Sequence, residues 1–377
     1  MKLAKEILVY IAILFMNLSC SSNSHISSIR YSDSQVRESG ALRNAKYKIK
    51  EIVRDASYSD QAPYLKYDLF MPSDWTGSEL PRLLILAHPG GFILGDKSDY
   101  LIQRMCKDLA RLGFATAAIN YRLINPVSEV RDLTVNGRRQ TLVKSILDAR
   151  LAIKVIQDRH GFSPKQTYFL GYSAGGIIGN HILFSSKEEL IGFAHPSNLS
   201  DDIYIPAERL VNGVISIAGG ILDFSHIDDE DMSNTQLLLI HGTQDRVVPF
   251  KWGKPFDKMV EEDIEIEVPG LYYELGGSLN EDDFRIRFEP GIQIQSVFLK
   301  LIRDQLYPDE ICGSGCIYED QRHQKGKIQL VRVEKGPHSF MHNNKDGQLN
   351  STYIATIRTI QHYLEEVDPS RKRRRQR

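Results

Sequence analysis

The chain has 377 residues, of which 42% are hydrophobic and 25% are charged, and its formal net charge at pH 7 is -1. This composition is ordinary for a globular protein, and the length suffices for one large α/β core or two modest domains. Because the net charge is close to zero, the chain as a whole has no attraction to nucleic acid or to acidic ligands, and we expect no nucleic-acid partner.

The first twenty residues have the pattern of an export signal. Two lysines precede the apolar residues 7–16, a stretch too short to cross a bilayer as a permanent helix. The following "NLSC" resembles the lipobox of bacterial lipoproteins, although Asn17 stands where such motifs usually carry Leu. The resemblance implies a signal peptide over residues 1–19 and an acylated Cys20 that anchors the protein on the periplasmic side of a bacterial membrane. The alternative is an ordinary secretory signal that releases a soluble protein, and both alternatives predict export.

Residues 20–46 are predicted to be a tether between the membrane and the folded domain, since half of residues 21–34 are serines. Residues 368–377 form a basic tail that ends in "RKRRRQR". Such a tail either binds anionic lipid or nucleic acid or stays solvated, and the neutral overall charge favours a solvated tail. We therefore predict one folded domain over residues 47–367.

Two segments after the tether, "YKIKEIV" and "YLKYDLFMP", alternate apolar and polar residues and are predicted to form an antiparallel pair of strands. Short and mostly apolar runs follow, namely "RLLILA", "ATAAIN", "QTYFLG", "GVISIAG", "QLLLIHG" and "IQLVRVEKG". Helical patterns separate them at residues 101–112, 138–160 and 352–366. This alternation predicts an α/β fold, a doubly wound and mostly parallel sheet with helices on both faces.

Functional residues of such sheets collect where the parallel strands end. The first apolar run is followed by "HPGGF", the third by "GYSAGG", the fifth by "HGTQDRVVP" and the last by "GPHSF". These ends contain a serine, an aspartate and a histidine in that chain order. We expect the three side chains to meet at the carboxyl edge of the sheet.

The segment "GYSAG" fits the G-x-S-x-G pattern of a nucleophile elbow, a sharp turn between a strand and a helix that exposes Ser173. Its context agrees, because a strand is predicted before it and an apolar helix is predicted to begin at Ala174. A serine hydroxyl is a poor nucleophile at neutral pH, so it needs a base, and the base needs an orienting acid. We predict that Ser173 is a catalytic nucleophile.

His338 is the predicted base, because it follows the last predicted strand and precedes the last helix. His241 belongs to a strand terminus and is predicted to order its own loop. Asp245 follows the fifth apolar run at the distance that a strand-end loop requires, whereas Asp223 lies in a cluster of acids after the preceding run. We predict that Asp245 is the acid, with Asp223 as the alternative.

Taken in order, "HPGGFILG", "NYRL", "GYSAGG", "HGTQDRVVP" and "GPHSF" resemble the motifs of α/β-hydrolases, in the branch of esterases and lipases with an HGGG-type motif. The resemblance covers nearly all of residues 64–366 except a segment between residues 250 and 310. It implies an α/β-hydrolase fold and a triad of Ser173, Asp245 and His338 that acts on carboxylic esters. We expect no cofactor and no metal ion.

In that family, the backbone N–H groups of the second and third glycines of HGGG and of the residue after the nucleophile hold the oxyanion of the tetrahedral intermediate. The matching residues here are Gly90, Gly91 and Ala174. The chain departs from the motif at Pro89, which replaces the first glycine and has no N–H to donate. Because the first position is not one of the donors, the resemblance still implies an oxyanion hole.

Cys312 and Cys316, in "CGSGC", are close enough in sequence to form a disulfide, which an exported protein permits. Two reduced cysteines at a helix start fit the sequence equally well. Cys106 lies in a helical pattern and shares its face with Ile102 and Leu109, so it is predicted to be a buried thiol.

Residues 251–310 are predicted to be an insertion before the last strand. This fold normally joins the acid loop, which here is the loop that contains Asp245, to that strand by one helix and short turns. The insertion contains the acidic run "EEDIEIE" and the aromatic "LYYELGG", and residues 292–307 have a helical pattern. Its ends are expected at the rim of the active site, where long insertions act as lids or substrate walls. The alternative is a surface excursion packed away from the pocket.

These features predict a serine carboxylic-ester hydrolase that works through an acyl-enzyme on a small-molecule or carbohydrate ester. One alternative is a serine peptidase of the prolyl-oligopeptidase type, but the oxyanion loop is of the esterase type and no repeat-built propeller precedes the domain. The other alternative is a non-catalytic binding lipoprotein that has kept the fold, and the intact triad residues argue against it.

Overall fold

The structure of the protein is a computed structural model. The residues that it describes are 46–60, 62–77, 79–92, 95–123, 135–194, 209–222, 227, 235–255, 266–274, 285–294, 309–319, 327–342 and 349–367. The predicted signal peptide, the predicted tether up to residue 45 with Cys20, the alternative acid Asp223 and the basic tail lie outside these residues. Among the described helices, none has both the length and the apolar character needed to cross a membrane.

The described strands and helices alternate along the chain. The strands are β1 Ile49–Ser57, β2 Lys66–Pro72, β3 Leu83–Ala87, β4 Ala115–Ile119, β5 Thr167–Tyr172, β6 Gly213–Ile217, β7 Gly220–Leu222, β8 Gln236–Gly242, β9 Trp252–Gly253, β10 Ile266–Glu274, β11 Arg285–Ile294, β12 Ile311–Gly313 and β13 Lys327–Val333. The helices are α1 Tyr100–Arg111, α2 Val135–His160, α3 Ala174–Phe184, α4 Lys187–Ala194, α5 Ser314–Glu319 and α6 Ser351–Glu366.

The main sheet has eight strands in the order β1-β2-β4-β3-β5-β6-β8-β13. Strand β2 is antiparallel to both of its neighbours, and every other neighbouring pair in this sheet is parallel. The predicted doubly wound, mostly parallel sheet is confirmed, and the arrangement is that of the α/β-hydrolase fold. The predicted antiparallel pair at the start of the domain is also confirmed, as β1 and β2.

A hydrophobic core lies on each face of the sheet, which explains the solid apolar runs. In β3, for example, Leu83 and Ile85 pack into one core and Leu84 and Leu86 into the other, because successive side chains point to opposite faces. Helices α2 and α3 contribute to the first core, and α1 and α6 contribute to the second. Cys106 of α1 is fully buried in the second core, as predicted.

The predicted insertion begins with β9 and ends directly before β12, and both strands belong to a small second sheet of order β7-β12-β9. Strand β12 pairs with β9, so Gly253 and Ile311 are direct partners, and a disulfide joins Cys312 to Cys316 just after this pairing. Within the insertion, β10 and β11 form an antiparallel pair. The predicted helix over residues 292–307 is wrong at its start, because Ile292 to Ile294 belong to β11. The alternation of "IQIQ" has the period of a strand and not that of a helix.

Candidate active site

Ser173 lies at the point where β5 turns into α3, and its backbone is in a conformation that L-residues rarely adopt, with φ 56° and ψ -116°. The turn is so tight that a Cβ atom on Gly171 would lie 1.9 Å from the carbonyl oxygen of Gly175. A Cβ atom on Gly175 would lie 2.3 Å from the carbonyl oxygen of Ala87 in β3. The two glycines of the motif are therefore required by the close approach of neighbouring backbone.

The side chains of Ser173, His338 and Asp245 form a continuous chain of hydrogen bonds. His338 Nε2 lies 2.9 Å from Ser173 Oγ, and His338 Nδ1 lies 2.7 Å from Asp245 Oδ2. The carboxylate can only accept when ionised, so Nδ1 carries the proton and Nε2 is free to accept the serine proton. All three residues are buried. The structure thus brings together the three residues that the sequence proposed, in an arrangement able to activate a nucleophile.

The Asp245 carboxylate is held by four donors. Its Oδ1 atom accepts hydrogen bonds from the backbone N–H groups of Val247 and Val248, at 2.8 and 2.9 Å. Its Oδ2 atom accepts from His338 and also from His241 Nε2, at 3.1 Å. Burial alone would raise the pKa of this carboxyl, but the electrostatic interaction with His338 and the hydrogen bonds from both histidines hold the pKa below its usual range. Asp245 is therefore ionised at neutral pH.

The loop after β3 is positioned by His88. Its Nδ1 atom donates to the carbonyl oxygen of Pro89 at 2.8 Å, and its ring stacks on Tyr121 with 4.2 Å between centroids. Since the Pro89–Gly90 peptide is planar and trans, holding the carbonyl on one side directs the N–H of Gly90 to the other side. Gly90 and Gly91 both have positive φ values, 126° and 59°, which glycine adopts without strain.

Burial lowers the pKa of the His88 imidazole to about 4, although its hydrogen bond to Pro89 and the charge of Asp96 act in the opposite direction. The ring is therefore neutral at the pH of most compartments. A neutral imidazole has one donor, and in His88 that donor is committed to Pro89. The hydroxyl of Tyr121 in turn donates to the carbonyl oxygen of His88 at 2.8 Å.

Ala174 is the first residue of α3, so its backbone N–H belongs to the group that has no acceptor within the helix. Such N–H groups at a helix N-terminus favour negative charge. Ala174 therefore stays a predicted oxyanion donor, and its position at the start of α3 suits that role.

Two residues of the site were not found from the sequence. Tyr172, the variable residue of the elbow motif, donates from its hydroxyl to the carbonyl oxygen of His338 at 2.9 Å, and its ring stacks on the imidazole. Ser314, between the bonded cysteines, lies with its Oγ atom 2.8 Å from His241 Nδ1. Both contacts join residues far apart in the chain, and no local pattern marks them. His241 orders the acid loop, as predicted.

No protein-family model and no curated protein matches the sequence. The chain is similar to solved structures of esterase 2 from Thermogutta terrifontis. The butyrate-bound form is 15% identical over 86% of this chain and 95% of that chain, with a TM-score of 0.47. The form phosphonylated by cyclosarin is 14% identical over 86% of this chain and 95% of that chain, with a TM-score of 0.46. The native form is 14% identical over 91% and 97%, with a TM-score of 0.45. Similarity at this level does not bear on the chemistry, so the function proposed below rests on the geometry of the site.

Proposed function

We propose that the protein is a serine carboxylic-ester hydrolase that acts through an acyl-enzyme. The observation that carries the proposal is the unbroken hydrogen-bond chain from Ser173 Oγ through His338 to the ionised Asp245, at the carboxyl ends of three strands of the sheet. The strained backbone of Ser173 supports it, because strain of this kind is kept where function needs it.

In the first half of the reaction, Ser173 Oγ attacks the ester carbonyl carbon while its proton passes to His338 Nε2. The negative oxygen of the tetrahedral intermediate is bound by the N–H groups of Gly90, Gly91 and Ala174. Collapse breaks the bond to the alcohol, which leaves with the proton from His338. Water then attacks the acyl-enzyme by the same proton route, and the carboxylic acid and free Ser173 are released.

The substrate that we propose is an ester with a small acyl group, carried by a carbohydrate outside the cytoplasm. The disulfide between Cys312 and Cys316 supports an exported protein, since disulfides persist in oxidising compartments. The pattern of residues 1–19 and the lipobox-like segment before Cys20 support export with a lipid anchor.

The test is a panel of p-nitrophenyl acyl esters, acetylated xylan, feruloyl esters and a peptide amide, with the wild-type protein and the Ser173→Ala and His338→Ala variants. We expect ester hydrolysis by the wild type and a loss of at least about 10³-fold in kcat in each variant, because nucleophile and base act as one unit. Ester turnover that survives Ser173→Ala in a folded variant would refute the proposal. Cleavage of the amide in preference to every ester would favour the peptidase.

A further inference from the structure

The segment "CGSGC" comprises the last two residues of β12 and the first three of α5, and the disulfide between Cys312 and Cys316 closes the turn that it makes at this junction. The turn packs directly on the chain that leaves the acid loop. The N–H of Gly313 donates to the carbonyl oxygen of Lys251 at 3.1 Å, and the N–H of Gly315 donates to that of Phe250 at 2.7 Å. A Cβ atom on Gly313 would lie 1.8 Å from the carbonyl oxygen of Pro249, so only glycine permits this approach.

The turn presents Ser314 to His241. Both residues are fully buried, and Ser314 Oγ lies 2.8 Å from His241 Nδ1. The other ring nitrogen, Nε2, faces two acceptors, Asp245 Oδ2 and the carbonyl oxygen of Val248, each at 3.1 Å. Nε2 must therefore carry the proton, and Nδ1 of the neutral ring accepts the hydrogen bond from the Ser314 hydroxyl. The Ser314 hydroxyl, which also lies 3.4 Å from the carbonyl oxygen of Gly219, thus complements the tautomer of His241 that donates to Asp245 and holds the ring from its other side.

His241 and His338 donate to the same oxygen of Asp245, while two backbone N–H groups occupy the other oxygen. A carboxylate offers about four lone-pair sites, so this one is saturated and has no freedom to rotate about its bond to Cβ. The plane of the carboxylate fixes the direction from which His338 Nδ1–H approaches. His241 therefore influences the orientation of His338 through its hydrogen bond to Asp245.

We propose that His241, held by Ser314 in the disulfide-closed turn, is a positioning residue that sets the Asp245 carboxylate against His338. The inference rests on the ester hydrolysis proposed above and deepens it, because it extends the triad to a second histidine and to the turn. It also accounts for every residue of "CGSGC", since the cysteines close the turn, the glycines allow its contact with the acid loop, and the serine binds His241.

The first arm of the test compares His241→Leu with His241→Gln. We expect His241→Leu to lower kcat for p-nitrophenyl acetate by about 10- to 100-fold with KM changed less than about twofold, because only the orientation of the acid is lost. His241→Gln restores most of kcat, since its side-chain amide can donate to the same oxygen. The matched control is His181→Leu, which removes another buried histidine with Nδ1 2.8 Å from a serine hydroxyl, and which we expect to leave kcat unchanged.

The second arm does not depend on turnover. The proton on His338 Nδ1 in its short hydrogen bond to Asp245 gives a downfield proton NMR signal. We expect this signal to move upfield or disappear in His241→Leu and to move less in Ser314→Ala, with Ser185→Ala of the control pair leaving it in place. The third arm tests the disulfide. We expect its reduction to lower kcat of the wild type several-fold. Reduction should have no effect on the double variant Cys312→Ser/Cys316→Ser, because the kcat of that variant is already lowered.

A His241→Leu variant whose kcat, KM and His338 signal match those of His181→Leu would overturn the inference. If His241→Leu does not fold, unchanged kcat and an unmoved signal in Ser314→Ala would overturn it equally. If the wild type hydrolyses no ester while the signal responds to His241 and Ser314 as expected, the proposed function fails and the positioning of Asp245 stands.

Discussion

Tyr172 and His338 are joined by two contacts although they lie 166 residues apart. The Tyr172 hydroxyl donates to the His338 carbonyl oxygen at 2.9 Å, and the two rings stack with 5.6 Å between their centroids. Burial and then the charge of Asp245 raise the pKa of the Tyr172 hydroxyl, so it is protonated and able to donate at neutral pH. The residue next to the proposed nucleophile therefore fixes the backbone that carries the proposed base.

Replacing Tyr172 by Phe keeps the stacked ring and removes the hydrogen bond. We expect the free energy of unfolding to fall by about 1 to 2 kcal/mol, because a buried carbonyl loses its donor, and kcat to fall several-fold. The control is Tyr168→Phe in the same strand, where the lost partner is the side-chain amide of Asn212 at 2.7 Å. Urea titrations and p-nitrophenyl acetate kinetics measure both variants. Equal kcat values for the two would show that Tyr172 is purely structural.

The acid of the triad is tested by Asp245→Asn. An asparagine cannot hold His338 in the tautomer whose Nε2 accepts the serine proton, so we expect kcat to fall by at least about 10³-fold while the fold is kept. Asp223→Asn is the matched control and should leave kcat unchanged. A large loss of kcat in Asp223→Asn together with a small loss in Asp245→Asn would show that Asp223 is the acid of the triad.

The sequence predicts most of the main sheet because the central strands are short apolar runs buried on both faces, as in Leu83–Ala87, whereas the edge strands β1 and β13 are more exposed. It also predicts Ser173, Asp245 and His338, since each follows a strand whose end is marked by glycine or by a known motif. Strands of two or three residues, such as Trp252–Gly253, carry no periodicity and are invisible in the sequence. The contacts of Tyr172 and Ser314 could not be predicted either, because each depends on a partner brought close only by the fold.

The buried imidazole of His88 predicts a pH-dependent stability. Its pKa is 6.5 in the unfolded chain and about 4 in the folded one, so the unfolded state binds the proton first as the pH falls. The free energy of unfolding is therefore highest above pH 6.5, where His88 is neutral in both states, and it decreases as the pH falls towards 4. In His88→Asn, which keeps a donor for Pro89 but cannot titrate, this loss is absent. We expect the destabilisation caused by the substitution to be about 2 kcal/mol smaller at about pH 5 than at about pH 7.5 in urea titrations. An equal destabilisation by His88→Asn at both pH values would refute the assignment of this pH dependence to His88.

The proposed lipid anchor is tested by Cys20→Ser. The acyl chains supply the membrane affinity, at about 0.8 kcal/mol for each buried CH₂ group, so the variant should be released as a soluble periplasmic protein. Metabolic labelling with a fatty-acid probe is the measurement, and wild-type protein is expected to be labelled. Equal labelling of the variant would contradict acylation at Cys20.

The last prediction concerns the insertion over residues 251–310. It begins with β9 and ends directly before β12, and these two strands are paired with Gly253 opposite Ile311, so a short linker can join them. The acid loop lies directly before β9, and the disulfide-closed turn that contacts His241 begins in β12. The roots of the insertion therefore adjoin the acid loop and the turn that contacts His241, and we expect the insertion at the rim of the proposed active site, where long segments act as substrate walls.

Replacing residues 255–307 by such a linker removes the insertion and keeps both paired roots. If the insertion forms a wall of the pocket, the variant should change its ranking among acyl and alcohol groups in the ester panel, while p-nitrophenyl acetate, the smallest substrate, is still cleaved. Thermal unfolding establishes that the variant is folded. A folded variant with the wild-type ranking across the whole panel would show that the insertion serves stability or the binding of a partner, because a segment that lines the pocket cannot be removed without changing which groups fit.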